Sequence, residues 1–433
     1  MIVRSPVRAI VNPIASPMQE LVRSIILPTP EPSLAPSLVL NFTSQAYSMN
    51  EAGKALTDLV TLTRASEGGR FNAAGVYETV GVDQPRFDYD PITLAAKGLL
   101  IEESRTNLVT HSSDYSTWTN AGSGGTPLVI TPAAIEGPRG ANTLTKLARG
   151  ALGIRYLHKV VTAPVGSTVT VTQVAKAGAL GTVLSMRLSS VLYANRADAA
   201  FNLVDGTFGS VASGDITGVT ASMTSLGNGE WRCTLTAKSG AVEWASLQIA
   251  PNSIMDGVDS SPSVLHDIYV DMTQVEEGAF ATSYIPTEAA QVTRAADVVE
   301  VNTLAPWHNA AAGTLFVDAQ ALVSRDAVYA QLGTADDRIG IVRATTTRGS
   351  IRTGGVDQAS LNVTSTTNVK AAITYAANDA ALCVNGAAAL TDTSVTLPTV
   401  AQLAIGTGLH GYIRNVVYYP RRLTNTDLQA LTA

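Results

Sequence analysis

Ser167-Thr168-Val169-Thr170-Val171-Thr172 is the stretch on which the fold reading turns. In an extended backbone its valines take one face and its threonines the other, the period-two mark of a half-buried strand. The same alternation recurs on both sides. After the turn Gly227-Asn228-Gly229, Trp231, Cys233 and Leu235 alternate with Arg232, Thr234 and Thr236. Further on, Ile268, Val270 and Met272 alternate with Asp267, Tyr269 and Asp271. Strand-like runs spaced by Gly, Asn and Ser turns predict an antiparallel β-sandwich between His111 and Pro286. A second β-rich region starts near Gly313, with Thr314-Leu315-Phe316-Val317, Ile339-Gly340-Ile341-Val342, Ala371-Ala372-Ile373-Thr374 and Leu403-Ala404-Ile405-Gly406. Asn385-Gly386 is a hairpin signal there, because both residues tolerate positive φ. The last strand runs from Tyr412 to Tyr419 and stops at Pro420; Thr424 then opens a short helix, with Asp427 three residues on to complete the cap.

Composition agrees with an all-β chain. Of 433 residues, 45% are hydrophobic but only 15% are charged, against about 25% in ordinary globular proteins. Ala, Thr, Ser, Val and 35 glycines fill the gap. A formal net charge of −6 is unsuited to nucleic acid, which needs a basic surface. Two cysteines, Cys233 and Cys383, build neither a disulfide framework nor a zinc cage. No apolar run approaches the roughly 20 residues of a membrane helix, and no signal peptide is evident, so synthesis in a cytoplasm without membrane insertion is expected.

The first forty residues differ from the rest. They are dense in proline, which blocks helix, yet carry Ile10, Ile14, Ile25 and Ile26 with Arg4 and Arg8. That pattern predicts an extended arm that docks on another subunit. Residues 41–110 read as a small strand-and-loop connector, with Glu67-Gly68-Gly69 as one of its turns. The predicted order is arm 1–40, connector 41–110, first sandwich 111–290, linker 291–312 and second sandwich 313–433.

Several blocks carry a resemblance. Leu62-Thr63-Arg64-Ala65-Ser66, Pro85-Arg86-Phe87-Asp88-Tyr89-Asp90-Pro91, Gly98-Leu99-Leu100-Ile101-Glu102-Glu103-Ser104-Arg105-Thr106-Asn107-Leu108 and Asp114-Tyr115-Ser116-Thr117-Trp118 occur in that order. Together they resemble the opening segment of bacteriophage head-spike and tail-fibre proteins. Gln274 to Thr287, followed by Thr293-Arg294-Ala295-Ala296-Asp297, is similar to the end of the carbohydrate-binding-module-like jelly roll of those proteins. Gly411-Tyr412-Ile413-Arg414 through Thr424 resembles the last strand and helix of concanavalin A-like, laminin-G-like domains. The resemblance covers residues from about 60 onward. It implies a virion protein, assembled in a bacterial cytoplasm, that attaches by its N-terminus to capsid or tail and displays glycan-binding sandwiches to host surface polysaccharide. Fibres of this kind are commonly homotrimers. A purely structural decoration protein is the alternative, and a capsule depolymerase the lesser one.

Catalytic signatures are sparse, and no enzyme is expected. The five histidines lie far apart with no metal-ligand spacing. Glu102-Glu103 and Glu276-Glu277 point to opposite faces if extended, so neither pair flanks one glycosidic bond, although distant carboxylates can still meet in space. No cofactor is called for. Asp336-Asp337 leave a lectin-type calcium site open, without a ligand-loop spacing behind it. Arg64, Arg86, Arg105 and Arg294 are expected to bridge loops through carboxylates.

Sugar binding calls for exposed aromatic faces beside fixed polar groups. Trp231 shares a face with Cys233 and Leu235, which predicts core. Trp244 shares its face with Ser246 and Gln248, opposite Ala245, Leu247 and Ile249, which predicts an outward stacking face. Tyr269, between Asp267 and Asp271 on its face, is the second candidate. The expected glycan site is therefore Trp244, Gln248, Tyr269, Asp267 and Asp271. Trp118 is expected to anchor packing, and Trp307-His308 to set the angle between the sandwiches.

Overall fold

The valines of 167–172 do face a core. A computed structural model describes residues 35–123, 126–150, 154–191, 193–251, 265–364 and 366–433. The predicted docking residues Arg4, Arg8, Ile10, Ile14, Ile25 and Ile26 lie outside them. Val169 and Val171 are fully buried with Leu147, Leu235, Ile249 and Val275 in one apolar cluster. Two six-stranded antiparallel sheets enclose it. One contains, in spatial order, Gly140–Arg149, Asp267–Glu277, Thr168–Ala177 and Glu230–Ser239; the other contains Ile154–Ala163, Trp244–Ala250, Val183–Ser189 and Arg196–Asn202. Among these eight, successive strands cross from sheet to sheet except at the hairpin from Val183–Ser189 to Arg196–Asn202, and the last two return beside the first pair, which is jelly-roll topology.

The second sandwich packs a ten-stranded sheet on a seven-stranded one. Leu315, Val317, Ile339, Ile341, Ile373 and Tyr418 are among the side chains between them, each no more than 1% exposed. Burying one aliphatic side chain of this size contributes about 1.5–3 kcal/mol. Thr424 caps the helix Asn425–Thr432, accepting from the Asp427 amide at 3.1 Å while Asp427 accepts from the Thr424 amide at 3.2 Å. Leu428 of that helix is buried with Phe316, Ala372, Cys383 and Val417 on the outer side of the ten-stranded sheet. Asn385 and Gly386 take the positive φ that a turn after Asp379–Val384 requires, 49° and 71°.

The chain division drawn from the sequence is corrected at its N-terminal end. Residues 41–110 are not a separate connector, and the arm does not extend to residue 40. Leu38–Asn41 pairs with the second half of Gly411–Tyr419, and Ala96–Ile101 pairs with its first half. Thr61–Thr63 pairs with Val298–Val301, which in turn pairs with Leu403–Ile405, so the predicted linker also supplies a strand. Leu38, Leu40, Leu99 and Ile101 complete the core of the second sandwich. Short strands need partners from elsewhere in the chain to bury a face. Trp307 likewise lies in this core, 5.0 Å edge-on to Tyr418, rather than between the sandwiches.

Candidate functional site

The sequence blocks from 62 to 108 and from 274 to 297 converge where the two sandwiches meet. Arg105–Asn107 pairs with Val292–Arg294 there. Arg86, fully buried, donates from Nη1 to Glu102 at 2.5 Å and to the Ser283 hydroxyl at 2.9 Å, and from Nη2 to Asp297. Arg64 holds the other Asp297 oxygen at 3.0 Å, and Arg294 lies 3.5 Å from Glu102. Ser283 also gives Glu102 its amide at 2.8 Å and its hydroxyl at 2.6 Å. Buried charges persist only when paired and hydrogen-bonded in this way. Burial alone would raise the Glu102 carboxyl, but Arg294 and Arg86 hold it well below its ordinary value. Gly68 and Gly69 are strand residues, not a turn. A Cβ on Gly69 would sit 1.7 Å from the Tyr77 hydroxyl, and one on Gly68 would meet the Arg64 and Arg86 side chains at 2.8–3.0 Å.

Beside this ion knot the sandwiches leave a cleft of about 210 Å³. Phe71, Tyr77, Tyr284 and Tyr412 supply aromatic wall, and Leu226 and Met272 aliphatic wall. Met272 arrives by a bulge. Thr172 pairs with Gln274 but Val174 with Asp271, so the strand Asp267–Glu277 carries one extra residue, and Met272 takes φ 55°. The bulge turns Met272 away from the core that holds Ile268, Val270 and Val275, and toward Tyr77 and Tyr284.

The polar side of the cleft is built on Asp88. Its carboxylate is 5% exposed and accepts from the Tyr412 hydroxyl and the Phe71 amide, each at 2.7 Å. Burial pushes this carboxyl above its ordinary value. Asp90 moves the other way, because amides of Thr93 and Ile92 donate to it. The Lys97 ammonium stands 3.9 Å from both carboxylates and 5.7 Å from the Tyr412 ring centre. Burial, reinforced by Asp88, raises the Tyr412 phenol well above its ordinary value, so it stays a donor. Tyr77 donates to the Tyr284 carbonyl at 2.8 Å. Rings, carboxylate acceptors and a loosely paired ammonium around an open cleft suit a polyhydroxylated ring. The volume is below the roughly 300–1,000 Å³ of pockets that enclose drug-sized ligands, so one ring-sized group fits rather than a long chain.

The predicted glycan residues are not brought together. Trp244 and Gln248 belong to one sheet of the jelly roll, and Asp267, Tyr269 and Asp271 to the other. Trp244 is 0% exposed, in the core, with its indole N–H donating to the Ser167 carbonyl at 3.3 Å. It opens its strand opposite a bulge between Val160 and Ala163, where strict alternation fails. Gln248 is buried at 2%. Asp271 is committed to a two-pronged pair with Arg139 at 2.6 and 2.8 Å and accepts the Met272 amide at 2.8 Å, which ties down the bulge. Asp267 pairs with Lys146 at 2.7 Å and accepts the Leu180 amide. Tyr269 is half-buried, beneath Lys146 and against the Met272–Tyr284 cluster that walls the cleft. Trp231, predicted as core, is half-buried and donates to the Leu203 carbonyl. Trp118 is buried and donates to the His111 carbonyl. Asp337 is engaged in accepting the Gly354 amide at 2.7 Å. Among the described residues no group of three or more His, Cys, Asp or Glu side chains is placed to hold a metal. Sequence reasoning missed Lys97, and placed Asp88 and Tyr412 in recognised blocks without a role; the patterns 85–91 and 411–414 carry the available signal.

No family model and no curated protein matches the chain. Among solved structures it is similar to a Trypanosoma rangeli sialidase in complex with sialic acid, and to the same sialidase with a difluorinated KDN. Each has 11% identity and a TM-score of 0.24, over 67% of this chain and 60% of the sialidase. It is also similar to domains LG4–5 of the mouse laminin α1 chain, at 9% identity and a TM-score of 0.20, over 76% of this chain and 91% of that one. The chain thus spans about three fifths of the sialidase it matches. At these scores the likenesses carry no argument about activity. The expectation that the chain is no enzyme is withdrawn, and no activity is put in its place.

Proposed function

We propose that the chain is a bacteriophage virion protein, a head spike or tail fibre, which attaches to host surface polysaccharide by placing a sugar ring in the cleft between its two sandwiches. The observation that carries this reading is the cleft itself, where Tyr412, Asp88 and Lys97 stand beside Phe71, Tyr77 and Tyr284. Ligand sites commonly form at such junctions. The blocks that resemble phage spike proteins build the joint that holds the cleft in shape, which supports assigning the two features to one function. The N-terminal residues dock on capsid, tail or baseplate, and the protein works as a homo-oligomer, a trimer, on the virion. Single-ring contacts are weak, and repetition on one particle multiplies them through effective concentration. A glycan array probed with the assembled oligomer tests this. Binding to bacterial surface polysaccharide is expected, and no binding to any surface glycan would overturn it.

A further inference from the structure

Away from the cleft, the outward face of the seven-stranded sheet gathers positive charge. Along Thr346–Thr353, Thr347, Gly349 and Ile351 turn inward, which leaves Arg348, Ser350 and Arg352 on the outer side. On Arg338–Arg343, Ile339 and Ile341 enter the core and leave Arg338 and Gly340 outside. The register sets Arg338 opposite Arg352 and Gly340 opposite Ser350. Like charges directly across a ladder repel. Arg338 donates from Nε to the buried Ser350 hydroxyl at 2.9 Å, and Arg352 pairs with Asp357 at 2.9 Å. Arg348 Nε is buried without a hydrogen-bond partner, and so is Gln331 Oε1, whose residue pairs with Gly340. Burial, then Arg348 and Arg352, push the Arg338 guanidinium below its ordinary value, against the smaller pull of Asp357 and Asp336.

We propose that this face binds an oxyanion of an acidic saccharide, held between Arg338 and Arg348 above the floor made by Gly340 and Ser350. Guanidinium groups meet carboxylate and sulfate oxygens with paired N–H donors, and Gly340 adds no side chain of its own to the floor, where the Gln331 Cβ stands 2.9 Å from the place a Gly340 Cβ would take. The saccharide part of this assignment rests on the glycan reading above; the oxyanion part does not.

Surface plasmon resonance of the full chain over polygalacturonate, dextran sulfate, neutral dextran and duplex DNA tests it at about 0.15 M salt, where charges beyond roughly 8 Å are screened. Binding to polygalacturonate identifies a carboxylate as the source of the oxyanion, and binding to dextran sulfate alone identifies a sulfate ester. Arg348→Ala and Arg338→Ala are each expected to weaken that binding at least about tenfold, with Arg348→Lys retaining part of it. Arg348→Ala should leave the melting midpoint unchanged or higher, since Arg348 Nε is buried without a hydrogen-bond partner and its guanidinium repels that of Arg338. Unchanged affinity in both alanine variants, absence of binding to either acidic polymer, or equal binding to duplex DNA overturns the proposal. A Lys97→Ala variant separates the two sites. If it abolishes acidic-polymer binding while Arg348→Ala does not, the arginine face is refuted and the cleft reading stands.

Discussion

Replacing Arg86 by Met removes the centre of the joint while keeping an unbranched side chain of similar reach. Arg86 is fully buried and serves Glu102 at 2.5 Å, Ser283 at 2.9 Å, the Gly69 carbonyl at 3.3 Å and Asp297. Taking one member from a buried ion pair typically costs about 3–5 kcal/mol, because a charge is left behind uncompensated. Here Glu102 keeps Ser283 and has Arg294 at 3.5 Å, and Asp297 keeps Arg64 at 3.0 Å, which places the cost near the lower end. A loss of about 3 kcal/mol is expected for Arg86→Met in urea unfolding at pH 7. Adding Asp297→Asn to it should cost further stability rather than recover any, since buried Arg64 would then lose its carboxylate partner. A single-variant loss below about 1 kcal/mol would refute the claim that the knot holds the joint.

Three further outcomes follow from the geometry. Trp244→Ala should destabilise the protein by about 3–5 kcal/mol in the same unfolding experiment, as expected for a buried core indole rather than an exposed stacking face. His410 tests the joint by pH. Burial among Arg294, Arg232 and Arg105, with Glu102 opposing at 3.7 Å, lowers its imidazole from 6.5 to about 4. The unfolded chain therefore takes up this proton first, so the stability linked to it is complete above pH 6.5 and is lost as pH falls toward 4. His410→Gln should remove about 2 kcal/mol of the stability difference between pH 7 and pH 5; an unchanged difference would show the ring is not held neutral. Gly69→Ala should cost about 1–3 kcal/mol by thermal or urea unfolding, because its methyl group has the Tyr77 hydroxyl and the Tyr284 carbonyl in its place.

Much of this architecture is written in short-range pattern. The alternation at 168–172 and 231–236 finds the jelly-roll strands, and Thr424 with Asp427 finds the helix, because period and capping are local. What fails is whatever a distant partner decides. Trp244 obeys alternation on paper, yet a bulge in the neighbouring strand and a carbonyl at Ser167 place it in the core. Met272 breaks the pattern by one inserted residue, and that break delivers it to the cleft. Leu38–Asn41 and Thr61–Thr63 look too short to belong to a sandwich until their partners, more than two hundred residues away, are known. The arginines of the recognised blocks were legible as loop bridges, and the structure joins Arg64, Arg86 and Arg294 to Glu102 and Asp297. The meeting of Asp88, Lys97 and Tyr412 was not, since only tertiary pairing brings Gly411–Tyr419 beside Ala96–Ile101.

The low charge of the chain also acquires a location. Part of it is held inside, in the buried joint and in the Asp271–Arg139 clamp. The remaining outward positions are often Thr and Ser, as on Ile216–Gly227, whose exposed residues include Thr217, Thr220, Ser222 and Thr224. Such a surface is suited to contact between subunits and with uncharged saccharide.

The central claim is tested most directly by the affinity of the assembled oligomer for host surface polysaccharide, compared between the unaltered protein and Lys97→Ala and Tyr412→Phe. Both substitutions lie at the cleft, and neither removes a member of the ion knot. The account predicts a loss of about tenfold or more in each, with far-ultraviolet spectra and oligomer size unchanged. Polysaccharide binding that survives both substitutions at full strength would contradict it.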